Sequence, residues 1–522
     1  MEKEFKITYT TMSVDDTELH AAFDKAIERV NKLKGKSFPL LINGEEVQAD
    51  ETFPVYNPAD TREPLFFFQK ASTEQAQQAI AAARGAFDAW RNTPWQDRCD
   101  VLDKVADMIS DELMDLSAGM IMEMGKNRVE AMGDVQESAD LLRYYAFQMR
   151  EKDGFVRVMQ SFGPNDTNTS VLKPYGVWTV ISPFNFPLAL AAGPVAAALV
   201  TGNTVTLKPS SDAPWTGYKL IEYFIRAGVP KGAANFITGP GRTAGNELVT
   251  NPGVDGITFT GSYDVGFNQV YREFAKEFPK PVVVEMGGKN PAIISSSADV
   301  DKAVSGVYRS AFGMGGQKCS ACSRVYVHKD IYDEFINKLV EKTKGTVIGD
   351  PLKKETFLGP LVNKNAQDDY KRFMDKARAD GKVIYGGKVL TDGGYANGYY
   401  VEPAIISGLP HEHELVQGEL FVPIVFVKKV DSMEQAMKEA NDVEYGLTAG
   451  FFGAENEVQW FLDNIQAGTV YVNREAGATT GAWPGFQTFG GWKASGSSGR
   501  NIGGHWTLLN YLKEQSQTVI HG

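Results

Sequence analysis

The sequence predicts an α/β protein of two domains, each built on a largely parallel sheet, with a small β unit attached. Three observations carry that expectation. At 522 residues the chain exceeds what one hydrophobic core usually serves. From Gly176 onward, short β-branched runs alternate with helical stretches, the signature of parallel strands joined by crossover helices. Two further β-like pieces, residues 156–172 and 500–522, carry no helices of their own.

The elements follow in order. Apolar residues at helical spacing predict a helix over 14–33, and a Ser-Thr-Glu cap signal ahead of an Ala- and Gln-rich run predicts another over 72–90. Helices over 97–124 and 128–150 continue a helical first part. Strands are expected at 177–181, 204–207, 235–238 and 256–260, whose carboxyl ends are where such a sheet binds its ligand. A second α/β unit begins at Glu285, with strands at 291–294, 324–327, 422–427 and 468–472. With no helices of their own, the two β-like pieces are expected to pair with something external and to form a small oligomerisation unit. The division is therefore 1–155 with 173–284, then 285–499, then 156–172 with 500–522. The longest apolar run, 186–201, is broken by Pro187, Gly193 and Pro194 and is too short to cross a bilayer; it reads as a buried loop and helix.

Composition narrows the partner. Hydrophobic residues make up 43% and charged residues 23%, an ordinary globular balance. A net charge of -12 argues against nucleic acid and anionic membrane, which need clustered Lys and Arg, and favours a small-molecule substrate. Only Cys99, Cys319 and Cys322 occur, which fits a reducing compartment rather than a disulfide framework. The Met1-Glu2-Lys3-Glu4-Phe5 start lacks the layout of a signal or transit peptide, so a cytoplasmic location is expected.

Chemistry concentrates in two segments. Gly313-Met314-Gly315-Gly316-Gln317-Lys318-Cys319-Ser320-Ala321-Cys322 places a thiol in a Gly-rich turn where backbone N–H groups can approach a ligand. The alternative reading is a buried, inert thiol. A cysteine nucleophile of the protease kind would need a histidine, but His20, His328, His411, His413, His505 and His521 lie in no motif. His411 and His413 lack further ligands at metal-site spacing, so no metal is expected. Val282-Val283-Val284-Glu285-Met286-Gly287-Gly288-Lys289-Asn290 puts a carboxylate at the mouth of the sheet, where burial would raise its pKa toward that of a general base. The alternative is a strand-end acid paired with Lys289 or another cation.

Glu285-Met286-Gly287-Gly288-Lys289 followed by Gly316-Gln317-Lys318-Cys319 resembles the paired signatures of the aldehyde dehydrogenase superfamily. The likeness extends through Pro183-Phe184-Asn185-Phe186-Pro187, Lys208-Pro209-Ser210-Ser211, Phe259-Thr260-Gly261-Ser262, Glu419-Leu420-Phe421 and Phe489-Gly490-Gly491-Trp492-Lys493-Ala494-Ser495-Gly496. It implies a Rossmann-type cofactor domain, an α/β catalytic domain and a small β oligomerisation segment in a homo-oligomer, a dimer or dimer-based. It also implies roles: Cys319 as nucleophile, Glu285 as the base that activates water, and Asn185 as an oxyanion donor. NAD or NADP would be held by Lys208, Ser211, Gly241, Gly261, Ser262, Glu419 and Phe421, with the pyrophosphate at the helix opened by Gly261 and Ser262. Gly239-Pro240-Gly241-Arg242-Thr243-Ala244-Gly245 misses the dinucleotide fingerprint by one residue, and Val422 stands where the family usually has Gly.

Within the superfamily, Gly316-Gln317-Lys318-Cys319-Ser320-Ala321-Cys322-Ser323-Arg324 and Thr480-Gly481-Ala482 are similar to the 1-pyrroline-5-carboxylate dehydrogenase branch, which oxidises glutamate semialdehyde. That likeness implies that Ser320, Gly481 and Ala482 hold a substrate carboxylate and that Phe489 packs on its aliphatic stem. Trp483-Pro484-Gly485-Phe486 and Thr488 depart from the branch and are expected to reshape the pocket floor. Two other readings stay open: an aldehyde dehydrogenase for another short semialdehyde or a sugar-derived aldehyde, and a catalytically silent binding or structural relative. Cys322 is expected to be a structural thiol.

Overall fold

β-Branched runs alternating with amphipathic helices produce two seven-stranded sheets in the structure, a computed structural model that describes residues 17–522. Across the first sheet lie Val282–Glu285, Gly256–Thr260, Val177–Ile181, Thr204–Lys208, Ala234–Phe236, Leu40–Ile42 and Glu45–Val47. The first five are parallel and the last two join antiparallel. The parallel strands are buried almost throughout because helices cover both faces, which is why they read as apolar runs rather than alternating patterns. Val177–Ile181 has Thr204–Lys208 on one side and Gly256–Thr260 on the other. Strand order reverses there, and at such a point a doubly wound sheet opens a crevice beyond its carboxyl ends.

The second sheet runs Lys382–Tyr385, Ala404–Ser407, Ile424–Val430, Cys322–His328, Asn290–Ile294, Thr448–Phe452 and Thr469–Val472, parallel except at the first pairing. Expected and observed strands agree in every case to within two or three residues.

The first expected helix is observed over Thr17–Asn31, its predicted first three residues lying outside the described ones. Thr73–Asn92 opens on a capping box in which Ser72 and Gln75 satisfy each other's backbone N–H groups. The single helix expected over 97–124 is two, Trp95–Asp111 and Leu113–Met124. The break falls at Glu112, whose carboxylate takes the Tyr223 hydroxyl at 2.6 Å.

Within the chain the two β-like pieces pair with each other. Leu512–Ile520 lies antiparallel to Asp166–Pro174 over nine residue pairs, and Val156–Val158 adds a third strand. The partner within the chain lies about 350 residues away in sequence, as the Thr518–Asn168 pairing shows (518 − 168 = 350). Residues before 512 do something else: Arg500, Ile502, Asn510 and Tyr511 line the cavity described next.

Candidate active site

The carboxyl ends of the first sheet gather the groups the sequence singles out. Glu285 and Lys208 are the last residues of their strands, Asn185 lies four residues beyond Ile181, and Gly261 and Ser262 follow Thr260. Cys319 faces them from a turn between the helix Val300–Phe312 and the strand Cys322–His328. That turn is tightly specified. Met314, Gly315 and Gly316 all adopt positive φ, and a Cβ on Gly316 would lie 2.5 Å from the Val422 carbonyl oxygen, so only glycine fits. Asn290 locks the turn's far end: its amide donates to the carbonyls of Cys319 at 2.7 Å and Ala321 at 2.9 Å, while its oxygen accepts the Thr448 N–H at 3.0 Å.

Cys319 stands between two adjoining cavities. One also holds Glu285, Thr258, Thr260 and Phe489; the other holds Ser320, Gly481, Ala482, Phe489 and Glu137. The nucleophile thus shares one wall with the expected base and the other with all four expected substrate residues. Asn185 is brought close in sequence but not into either lining: it is 3% exposed, and its neighbour Phe186 reaches the second cavity instead.

Enclosure sets the protonation states. Burial, reinforced by the Glu419 and Glu285 carboxylates, pushes the Cys319 thiol up to about 12. Burial raises Glu285 to about 8, against a smaller pull from the Gly491 N–H. Glu285 Oε2 is buried and has no hydrogen-bond partner among the described residues. Lys289 does not pair with it; its ammonium donates to the Leu415 carbonyl at 2.9 Å, and burial lowers it to about 7. The ion-paired alternative for Glu285 is thereby removed. Cys322 is buried, with its thiol pushed up to about 12 by burial, and is structural.

The residues expected to hold the cofactor fall into two sets. Lys208 is buried, its ammonium lowered to about 8 by burial, and among the described residues its only hydrogen-bond partner is the Pro209 carbonyl at 3.3 Å. Glu419 accepts the Gly288 N–H at 3.0 Å and is raised to about 7 by burial; a Cβ on Gly287 would meet its carboxylate at 2.0 Å. Phe421 takes the left-handed conformation, φ 58°, and packs edge-on against Phe184, so the strain near Val422 sits on Phe421. Ser262 accepts the Val265 N–H through its hydroxyl and starts the helical stretch from Asp264. Ser211, Gly241 and Arg242 form the outer set and are exposed. A buried ammonium at the end of Thr204–Lys208 and a partly buried carboxyl in the loop ahead of Ile424–Val430, each only partly satisfied, fit the ribose and phosphate groups of a dinucleotide.

Three contributors have no motif of their own. Arg474 donates to the carbonyls of Thr480 and Gly481. In trans peptides N–H and C=O point oppositely, so the Gly481 and Ala482 N–H groups face away from Arg474. Glu137 places a carboxylate in the same cavity, and Asn290 fixes the nucleophile turn. Only the helical spacing of Glu130, Asp134 and Glu137 could have hinted at the second of these. Of the departures at 483–486, Trp483 donates to Asp140 at 2.9 Å and Phe486 is exposed, and neither lines the cavities around Cys319. His413 caps the helix Glu414–Gln417 and His411 bonds Asp442, local structural duties.

The sequence pattern of the aldehyde dehydrogenase family matches residues 46–517, and the chain belongs to that family; it is an NAD(P)-dependent aldehyde dehydrogenase. Among its relatives, 1-pyrroline-5-carboxylate dehydrogenase of Geobacillus sp. (strain WCH70) is 37% identical over 505 residues, 95% of each chain. The Thermus 1-pyrroline-5-carboxylate dehydrogenase, solved with bound NAD, superimposes with a TM-score of 0.93 at 33% identity, covering 98% of both chains. Proline utilization A from Bdellovibrio bacteriovorus gives a TM-score of 0.91 at 35% identity, covering 96% of this chain, which spans 52% of that longer protein.

Proposed function

We propose that the chain oxidises L-glutamate 5-semialdehyde, the open form of 1-pyrroline-5-carboxylate, to L-glutamate through a thioester on Cys319. The observation that carries this is the position of Cys319 between the Glu285 cavity and the cavity lined by Ser320, Gly481, Ala482 and Glu137. Cys319 sulfur adds to the aldehyde carbon while its proton passes to Glu285, directly or by way of water. The Cys319 N–H and the Asn185 amide stabilise the oxyanion. Hydride acceptance is the chemistry that NAD(P) supplies when bound, with Lys208, Glu419, Phe421 and Ser262 holding it. Glu285 releases the thiol proton to solvent, and its regenerated carboxylate then takes a proton from the water that hydrolyses the thioester, the Cys319 sulfur leaving as the acid forms.

The substrate assignment follows from the second cavity. Ser320 hydroxyl and the N–H groups of Gly481 and Ala482 suit an α-carboxylate, Glu137 suits the adjacent ammonium, and Phe489 covers the stem. A panel of aldehydes followed by NAD(P)H absorbance tests it. A chain-matched aldehyde without the carboxylate is expected to lose roughly 2–4 kcal/mol of transition-state binding, because buried donors are left unpaired. Equal specificity constants would remove the substrate assignment and leave the reaction class.

The outer cofactor residues carry a separate expectation. A carboxylate at position 211 would bind ribose hydroxyls and repel the extra phosphate of NADP. Ser211 is an exposed hydroxyl, and the adjacent Asp212 is occupied with Asn363 at 3.1 Å. Specificity constants for NADP and NAD are expected to differ by no more than about tenfold, or about 1.4 kcal/mol, and Ser211→Glu is expected to depress NADP use. Strict NAD use by the wild type, or no change in Ser211→Glu, removes this position as the determinant.

The assembly we propose is a homo-oligomer built from dimers. Val158, Val519 and Ile520 of the three-stranded sheet, with Phe162 in the connection between two of its strands, are exposed apolar residues, which such contacts would cover. Three free thiols support a cytoplasmic location. No helix among the described residues is long and apolar enough to cross a membrane.

A further inference from the structure

The helix Arg128–Glu151 carries Glu130, Asp134, Glu137 and Leu141 at the i, i+4, i+7, i+11 spacing of one helical face. Each meets a different part of the site. Glu130 pairs with Lys318, the residue before the nucleophile, at 2.7 Å. Glu137 and Leu141 line the cavity beside Cys319. Asp134 is fully buried and divides its two oxygens. Oδ2 pairs with the fully buried Lys126 at 2.6 Å, and Oδ1 accepts the N–H of Ala189 at 2.8 Å.

Ala189 is the first residue of the helix Ala189–Val200, whose own N-cap, Leu188, offers no side-chain acceptor. Asp134 therefore supplies from a neighbouring helix the cap that the local sequence lacks. Lys126 reaches the same turn from the other direction: its ammonium lies 3.9 Å from the centre of the Phe186 ring, within cation–π range. Phe186 follows Asn185 directly, and Ala189 comes four residues after it. One buried ion pair thus grips both sides of the turn that carries Asn185.

Stability alone is a poor reason for such a pair. Taking two charges out of water costs about as much as their attraction returns, and apolar replacements of similar volume are often neutral. Geometric specification is the better explanation, since an oxyanion donor must be held to a fraction of an ångström.

We propose that Lys126 and Asp134 are positioning residues that set the Asn185 amide against the oxyanion on Cys319, with Glu130 and Lys318 registering the nucleophile turn on the same helix. The inference rests on the assignment of Asn185 as oxyanion donor under the proposed function.

The test is a double-mutant cycle on the acylation burst, read as NAD(P)H formation in single turnover with glutamate 5-semialdehyde, or with the best aldehyde of the panel if that one does not turn over. Asp134→Asn is expected to slow the burst about ten- to hundredfold while NAD binding by fluorescence titration stays unchanged. In an Asn185→Ala background the same substitution is expected to add less than about twofold, because the group it positions is gone. If Asp134→Asn does not yield folded protein, Asp134→Glu serves instead: it keeps the buried charge balance but shifts the acceptor from the Ala189 N–H by one methylene. A wild-type burst in the Asp134 variant, or a loss that adds in full to that of Asn185→Ala, overturns the inference alone. An Asn185→Ala enzyme with a wild-type burst overturns the oxyanion assignment and the inference with it.

Discussion

Cys319→Ala is expected to lower turnover by at least about 10⁴-fold while leaving cofactor binding intact. The substitution removes the sulfur and little else. The backbone of the turn is fixed by Gly316 against Val422 and by Asn290 on the Cys319 carbonyl, neither of which needs the side chain. Lys208 and Glu419, which we propose hold the dinucleotide, belong to other segments, so a fluorescence titration with NAD should be unaltered. Covalent labelling is equally diagnostic, because Cys99 and Cys322 are buried while Cys319 opens onto both cavities. Wild-type protein should take up one equivalent of iodoacetamide under native conditions and the variant none. Since burial and two carboxyl neighbours hold the thiol high, near 12, the wild-type labelling rate should climb steadily from pH 7 to pH 9 with no plateau. Dehydrogenase activity in the variant above about 1% of wild type would falsify the nucleophile assignment.

How far the sequence reached can be seen in where it stopped. Parallel strands such as Thr204–Lys208 are buried on both faces, so their apolar runs announce themselves, and the residues at their carboxyl ends follow by topology. Strands between 37 and 69 were not anticipated. They are two to ten residues long, and Pro39, Pro54, Pro58 and Pro64 break any alternation. The three-stranded sheet was legible as β but not as a pairing, since its register joins residues about 350 apart (520 − 166 = 354 at one end), and nothing local encodes such a distance. Within the site, Cys319 and Glu285 stood out through their glycine-rich surroundings. Arg474, Glu137 and Asp134 did not, because each acts from a helix or loop whose local sequence is unexceptional. An arginine that turns two carbonyls and an aspartate that caps another helix are defined by contacts across more than 50 residues, or by a loop's return on itself.

Replacing Glu285 with Gln is expected to separate the two halves of the reaction. Glutamine keeps the shape of the side chain but cannot take a proton, so hydride transfer should still produce close to one equivalent of NAD(P)H, and hydrolysis of the Cys319 thioester should slow by about 10²- to 10⁴-fold. The trace to expect is a burst followed by near-arrest, with the acyl group recoverable on Cys319 by mass spectrometry. Some slowing of the burst accompanies it if Glu285 also receives the thiol proton; loss of that acceptor should be offset by raising the pH, which ionises the thiol without help. The pH dependence of the wild type follows from the same carboxyl. Burial raises it to about 8, so its basic form is the minor one at neutral pH and becomes dominant only above that value. Steady-state turnover limited by deacylation should therefore rise about tenfold per pH unit below pH 8 and level off above it, whereas a carboxylate at its usual pKa would already be ionised and give a flat profile over the same range. In Glu285→Gln that inflection should vanish, and the residual rate should follow hydroxide instead. A variant with unchanged steady-state turnover, or one that retains the inflection near pH 8, would show that the water is activated by another group.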